Sequence, residues 1–355
     1  MKKLLVALLT VAGMIFVLTR LADLQSMGAV IYRGNYLYLG LALVVQIGWI
    51  YNLGSFYQAV YAALGMPERR LHLARLASAA FFLAIVAPSG GLSGITVFIA
   101  DAKHKGRSAA RVTVAGALYV WFEYIGTLAL TSLGLAQLAH LNRLQWPEIT
   151  ASLVLLAGAF GMGVLLYLGM RSADALGKAL AWLAGVANAV LRPFIRRDYL
   201  NKNRAHTFSQ EIAEGLSVLR QNPRWIIRPL LLVLLNKALL LTVMLLCFMA
   251  FKVQSGLGTV VAGMGLAHMF IILSPTPAGV GIAEGILAVA LKSLGLNGED
   301  AVVVTLAYHC FSFWLPFFAG MISLRAMTHS RKPAIAPTEA DEPAAYRIER
   351  EQAQP

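Results

Sequence analysis

Apolar residues gather in eight long runs, roughly 4–19, 36–64, 72–100, 112–138, 149–170, 226–251, 257–296 and 300–325. A helix needs about 20 apolar residues to cross a bilayer. Runs 36–64, 72–100 and 257–296 exceed that length, and the last two are broken by proline and glycine. The first break reads Ala87-Pro88-Ser89-Gly90-Gly91-Leu92-Ser93-Gly94, and the second Ser274-Pro275-Thr276-Pro277-Ala278-Gly279-Val280-Gly281. Lipid offers no hydrogen bonds, so irregular backbone at membrane depth must lie inside protein or along a wet cavity. A matched pair of such breaks points to a substrate path in a transporter.

Charge between the runs sets an orientation. Take the N-terminus, 65–75, 101–111, 171–228 and the tail after 324 as one side. They hold 24 of the 30 Lys and Arg residues, against five on the other side: Arg20, Arg33, Arg143, Lys252 and Lys292. Basic loops stay cytoplasmic, so both termini are expected in the cytoplasm. Run 72–100 has basic loops on both flanks and should enter from the cytoplasm and return there, bent at Pro88 to Gly94. Run 257–296 lies between Lys252 and the acidic Glu299 and Asp300, both on the other side. It should enter from outside and return outside, bent at Pro275 to Gly281. The fold expected is all-α: about six spanning helices and two opposed re-entrant hairpins. Opposed hairpins imply an inverted repeat. The two breaks share little beyond proline and glycine, so the repeat rests on topology.

Composition agrees with a membrane protein: 58% hydrophobic and 13% charged, where soluble domains carry about 25% charged residues. The formal net charge of +13 is accounted for by orientation and anionic lipid headgroups. No motif or stacking platform for nucleic acid is present. Cys247 and Cys310 lie in apolar runs and suggest neither a disulfide framework nor a metal site. Met1-Lys2-Lys3 and the run after it resemble a signal peptide. No small-x-small site follows before Arg20, which favours an uncleaved first helix. The membrane domain is read as 1–328. Within it, 171–224 forms interfacial amphipathic helices, at 174–196 and 207–220, which cover the cytoplasmic face and gather anionic lipid. The tail 329–355 is expected to be disordered.

Three ionisable residues fall deep in apolar runs. Glu123 and Lys237 each sit 11 residues into their runs, about 16 Å deep at helical rise. Glu284 follows the second break by three residues. Charges at that depth need partners, and Lys237 with Glu123 or Glu284 is the natural pair. It is either a structural ion pair or a headgroup site, with Lys237 taking a lipid phosphate and an acid taking a cationic group. Thr276 before Pro277 fits a helix start, whose positive end suits an anion. Pro88, Ser89, Gly90, Gly91, Ser93, Gly94, Pro277, Gly279, Gly281 and His309 are the remaining candidates for the cavity. Gly91-Leu92-Ser93-Gly94 also matches the G-x-S-G of rhomboid-type intramembrane serine proteases, with His268 or His309 as base. The rest of that pattern is missing. No paired carboxylates sit in a loop near the membrane, no metal or cofactor motif is found, and no catalytic residue is assigned.

The first break with Lys103–Gly106 after it, the second break with Glu284, and Phe313-Trp314-Leu315-Pro316 resemble, in order and spacing, the lysylphosphatidylglycerol synthase transmembrane-region family. This is the flippase half of the bacterial multiple peptide resistance factor and its stand-alone relatives. The resemblance covers about 1–328. It implies a helical inner-membrane domain that moves lipid, aminoacylated phosphatidylglycerol in the best-known members, between leaflets. Two positions often basic in the family are Ala283 and His309 here, which bears on which headgroup is taken. The family's soluble synthetase domain is not found, so lysyl transfer is not expected.

The function expected is translocation of phospholipid or aminoacylated phospholipid. A membrane-embedded accessory subunit, serving a separate lipid- or glycan-modifying enzyme, and an intramembrane enzyme are the alternatives. The partners expected are membrane lipids through anionic headgroups, a separate lipid-modifying enzyme and a second copy of the chain.

Overall fold

The structure is a computed structural model that describes residues 28, 30–86, 93–191, 202–220, 223–273 and 282–329. The run 4–19, both breaks (apart from Ser93 and Gly94) and the tail from 330 lie outside the described residues. All regular structure among the described residues is helical. Five segments are long and apolar enough to span: α1 (Tyr36–Ala63), α4 (Ala109–His140), α5 (Trp146–Arg171), α8 (Ile227–Ala250) and the run from α11 (Gly298–His309) into α12 (Leu315–His329). The sixth expected span is the N-terminal run.

The remaining helices are shorter. The first broken run gives α2 (Arg70–Val86) and α3 (Ser93–His104); the second gives α9 (Leu257–Leu273) and α10 (Ile282–Ser293). Between the spans α5 and α8 lie α6 (Ala173–Leu191) and α7 (Lys202–Arg220), then a single 3-10 turn, Pro223–Ile226. A π turn, Cys310–Trp314, joins α11 to α12 without interrupting the span.

Polar residues mark the helix ends. Asn35, Ser108 and Asn297 cap α1, α4 and α11 by accepting from the backbone N–H of Leu37, Arg111 and Asp300. Such caps satisfy donors that the first turn leaves open. After α3, Gly106 takes a left-handed φ of 63°, and Arg107 N–H returns to Ala102 O at 2.8 Å. Glycine reaches that conformation without the Cβ penalty.

Contacts at the helix ends show that each hairpin returns to the side it entered. His72 at the start of α2 and Asp101 near the end of α3 meet, Nε2 to Oδ1, at 3.0 Å. Arg111 donates to Leu64 O, placing the start of α4 at that same end of the bundle. At the other end of α4, Gly258 at the start of α9 packs against Gln137. There Arg143 donates to Ser293 O, at the end of α10, at 2.8 Å. The hairpins therefore enter from opposite ends of α4.

Element order repeats. A span (α1), a hairpin (α2–α3) and a long span (α4) are followed later by a span (α8), a hairpin (α9–α10) and a long span (α11–α12). The hairpins match in length, with 17 and 12 residues in each. Packing follows the inverted symmetry: α1 packs on α8, α4 on the hairpin helix α9, and α12 on the hairpin helix α2. Both crossed pairs rest on close approach at glycine. A Cβ on Gly265 of α9 would lie 3.1 Å from Leu130 O of α4, and one on Gly320 of α12 would strike Ser78 O of α2. Small residues let helix backbones approach where lipid gives no hydrophobic drive.

Helix α7 is more than a surface cover. Its Leu216 and Leu219 are fully buried in the core, and Leu216 packs over Gly169 of α5. Its other face, including Gln210 and Arg220, is exposed, which keeps the expected amphipathic character. In α6, Trp182 stands 68% exposed, as an interfacial tryptophan does.

Gly320→Ala should cost about 1–3 kcal/mol through overpacking against fixed backbone. Gly161→Ala, with no described atom within 4 Å, should stay within about 0.5 kcal/mol. Thermal unfolding of the two variants in detergent measures the difference.

Candidate functional site

A cavity of about 590 Å³ lies where the hairpins meet. Hairpin α2–α3 contributes Ala80, Ala84, Gly94 and Phe98, and hairpin α9–α10 contributes Met264, His268 and Leu287. The wall is closed by Trp49 and Tyr57 of α1, Tyr119 and Glu123 of α4, and Thr305, Tyr308 and His309 of α11. Such a volume falls within the range of small-molecule pockets, about 300–1,000 Å³. The lining is mostly apolar, so its few polar groups decide what enters.

The central polar feature is an ion pair between Lys237 Nζ and Glu123 Oε1. Lys237 is 5% exposed and Glu123 28%. Glu123 lines the cavity, whereas Lys237 stands behind it on α8. One turn along α4, Gly126 leaves room for the lysine stem: a Cβ there would lie 3.3 Å from Lys237 Cε. The same face of α4 carries Tyr119, whose ring stacks on Tyr57 with centroids 5.2 Å apart. Tyr57 in turn packs on Phe98 of the hairpin at 4.7 Å. The carboxylate thus opens into an aromatic corner.

The opposite wall is also aromatic. His309 is buried and stacks on Phe313, with centroids 4.7 Å apart and an interplanar angle of 10°. His268 places Nδ1 3.1 Å from Met264 O, and donation there leaves Nε2 as an acceptor. Thr305 Oγ1 and Trp49 Nε1 are buried with no hydrogen-bond partner among the described residues. Buried polar atoms of this kind call for a partner.

The candidates named from the sequence fall into three groups. Glu123, Gly94 and His309 line the cavity, and Lys237 pairs with Glu123 at its edge. Glu284 lies in the first turn of α10, with its side chain outside the described residues, as is that of Ser93 at the start of α3. Pro88, Ser89, Gly90, Gly91, Pro277, Gly279 and Gly281 lie outside the described residues altogether. So does the helix start expected at Thr276-Pro277. Ala84, three residues before the first break, and Gly94, its last residue, both face the cavity.

Tyr57, Tyr119, Thr305, Tyr308 and Ser312 also line the cavity and were not singled out from the sequence. They carry no charge, so a search for buried ions passes over them. The spacing of Tyr119 to Glu123 was the available signal, since positions four apart share a helix face.

A second polar cluster pairs a carboxylate before a helix with one on a helix, which a search for carboxylate pairs within one loop does not find. Glu68, before α2, and Asp101, on α3, come together across the mouth of the first hairpin. Their oxygens and His72 Nε2 lie within 4.8 Å of one another. Lys105 Nζ sits among them, 2.5 Å from Glu68 Oε2, 2.9 Å from His72 Nε2 and 3.3 Å from Asp101 Oδ2. The chain's own ammonium thus takes the place that a metal ion would need. Arg107 adds a second ion pair to Glu68, at 2.9 Å. Burial pushes the Glu68 carboxyl up, but the Lys105 hydrogen bond, the Arg69 backbone N–H and the Lys105 and His72 charges outweigh it. The net shift is below the ordinary value of 4.5. The cluster clasps the two legs of the hairpin.

The lysylphosphatidylglycerol synthase TM region family matches residues 4–320. The chain belongs to this family. No curated protein and no solved structure matches the chain. Family membership and the five spans make the chain a multi-pass membrane protein with a lipid-related role.

Glu123→Gln alone should cost about 3–5 kcal/mol, because it leaves the Lys237 ammonium buried without its counter-ion. Glu123→Gln with Lys237→Met should recover most of that loss in detergent thermal unfolding. The hairpin clasp carries its own pH signature. Glu68 has a lowered folded pKa, so its stabilisation is present above 4.5 and is lost as pH falls through the lower folded value. Unfolding measured from pH 7 to pH 3 should show this acid limb, and Glu68→Gln should reduce it, leaving the part that Asp101 carries through its own lowered carboxyl.

Proposed function

We propose that this protein translocates phospholipid or aminoacylated phospholipid between the leaflets of the bacterial inner membrane, with both termini cytoplasmic. The observation that carries the reading is one cavity, lined by two hairpins of opposite entry, with an ion pair at its wall. Alternating access fits this arrangement, because inverted repeats place a midplane site between two elements that can rock in mirror fashion. The cavity takes a headgroup while the acyl chains remain in lipid.

The ion pair supports the same reading. Buried charges within spanning helices mark substrate paths more often than they serve stability. Glu123 faces the cavity and releases Lys237 only when another cation takes its place. A headgroup with both an ammonium and a phosphate offers partners to both side chains at once. Exchange of partners then leaves no charge unpaired in the membrane, which keeps the barrier low. Thr305 and Trp49 supply further hydrogen bonds to phosphate or glycerol oxygens. Tyr57 and Tyr119 offer π faces to an ammonium beside the carboxylate.

Proteoliposomes holding labelled phosphatidylglycerol, plain and lysyl-charged, test the reading. Wild type should move lipid between leaflets, Lys237→Ala and Glu123→Gln should lose at least tenfold in rate, and Ser93→Ala should keep it. Loss confined to Ser93→Ala would overturn translocation in favour of an intramembrane hydrolase. No movement of any lipid by wild type would overturn it in favour of an accessory subunit.

A further inference from the structure

A second cavity, of about 580 Å³, lies on the far side of α4. Leu118 and Trp121 of α4 line it, whereas Tyr119 and Glu123 face the central cavity. The two cavities share no lining residue. Helix α5 forms one wall from Ala159 to Met170, and α7 closes it with Leu216, Leu219 and Arg220. Trp121 Nε1 donates to Ala159 O at 3.1 Å, so the indole lines the groove with its polar atom satisfied. Gly163 permits this, since a Cβ there would lie 3.0 Å from Nε1.

The groove has one polar end. Arg220 lines it, is exposed, and forms no ion pair or hydrogen bond among the described residues. Arg171, at the end of α5, holds its guanidinium 5.4 Å above the ring of Tyr167, itself a lining residue. Trp225 also lines the groove. Arginine, tyrosine and tryptophan together are the side chains of a membrane–water boundary. From Met170 the groove runs along α5 to Ala159, about 16 Å at helical rise. That is the depth of one leaflet of a core about 30 Å thick. The other end is apolar, and Phe160 there is 72% exposed on the outer face of the bundle.

We infer that this groove is a second lipid site, which holds one acyl chain of an anionic phospholipid from the leaflet on the basic-loop side, with its phosphate against Arg220 and Arg171. The length of the groove selects an acyl chain. The Arg220 guanidinium in its lining, with Arg171 over the lining residue Tyr167, selects an anionic headgroup, as basic pockets between helices do. Arg220 also complements the C-terminal end of α7, a role that needs neither the groove nor the tyrosine-borne Arg171. The site lies outside the proposed path, so a lipid held here is a resident rather than the cargo.

Quenching of protein tryptophan by brominated lipid tests the inference, because Trp121 and Trp225 line the groove. Purified full-length protein in detergent is titrated with brominated phosphatidylglycerol, brominated phosphatidylcholine and glycerol phosphate. Phosphatidylglycerol should quench at concentrations at least fivefold lower than phosphatidylcholine, and glycerol phosphate should not displace it. Arg220→Gln should bring the two lipids together, and Val164→Phe, which fills the groove, should abolish the tighter phase. Glu123→Gln with Lys237→Met should leave that phase unchanged, which separates it from the central cavity. Equal quenching by both lipids in wild type, or an unchanged curve in Val164→Phe, would overturn the site. An unchanged preference in Arg220→Gln would overturn the assignment of the phosphate to that residue.

Discussion

Every backbone N–H and C=O in a bilayer must find its partner within the protein. The rest of this structure depends on that constraint. Two hairpins of helices too short to cross a bilayer cannot stand against lipid, so they must be enclosed by helices long enough to cross it. Here α4 takes hairpin helix α9 against its length, and α12 takes hairpin helix α2. The spans α1 and α8 join the two halves, with Asn52 of α1 donating to Leu232 O of α8 at 2.9 Å. Close approach at Gly265 and Gly320 makes the enclosure tight where no hydrophobic drive exists between helix and lipid.

Enclosing two opposed hairpins leaves a space between them, and this chain fills the space incompletely. Small residues on the hairpins, Ala80, Ala84, Gly94 and Ala267, hold it open. Its chemistry comes mostly from the spans: a carboxylate and tyrosine on α4, a tyrosine and tryptophan on α1, a threonine and histidine on α11. Glu123 and Lys237 each give the other its counter-ion inside the bundle. Structural need and proposed function therefore fall on the same pair. A site that must exchange partners during transport is built from groups that cannot be left alone.

The bundle is less symmetric outside this core. At the basic end, Glu68, His72, Asp101, Lys105 and Arg107 tie the two legs of the first hairpin together. The second hairpin is held instead through Arg143 to Ser293 O. Two extra helices, α6 and α7, lie on the basic side alone, and α7 drives Leu216 and Leu219 between α4 and α5. The proposed lipid groove exists because of that insertion.

Much of the architecture was legible in one dimension. Run lengths, Pro-Gly breaks and loop charge together imply two opposed hairpins, because each of these follows from the energetics of lipid rather than from any particular contact. The depth of Glu123 and Lys237 was legible for the same reason, as rise per residue is constant in a helix. Their pairing to each other needed the packing of α4 on α8. So did the convergence of Glu68 and Asp101, which are far apart in the chain and meet only when the hairpin closes. The uncharged lining, Tyr57, Thr305 and Tyr308, leaves no trace in hydropathy. Sequence alone determined which segments are long and apolar enough to enter a membrane and that the two hairpins enter from opposite ends, since those are transfer free energies summed along the chain. Tertiary structure alone decided which faces look inward and which charges meet, since those depend on crossing geometry at a few glycines.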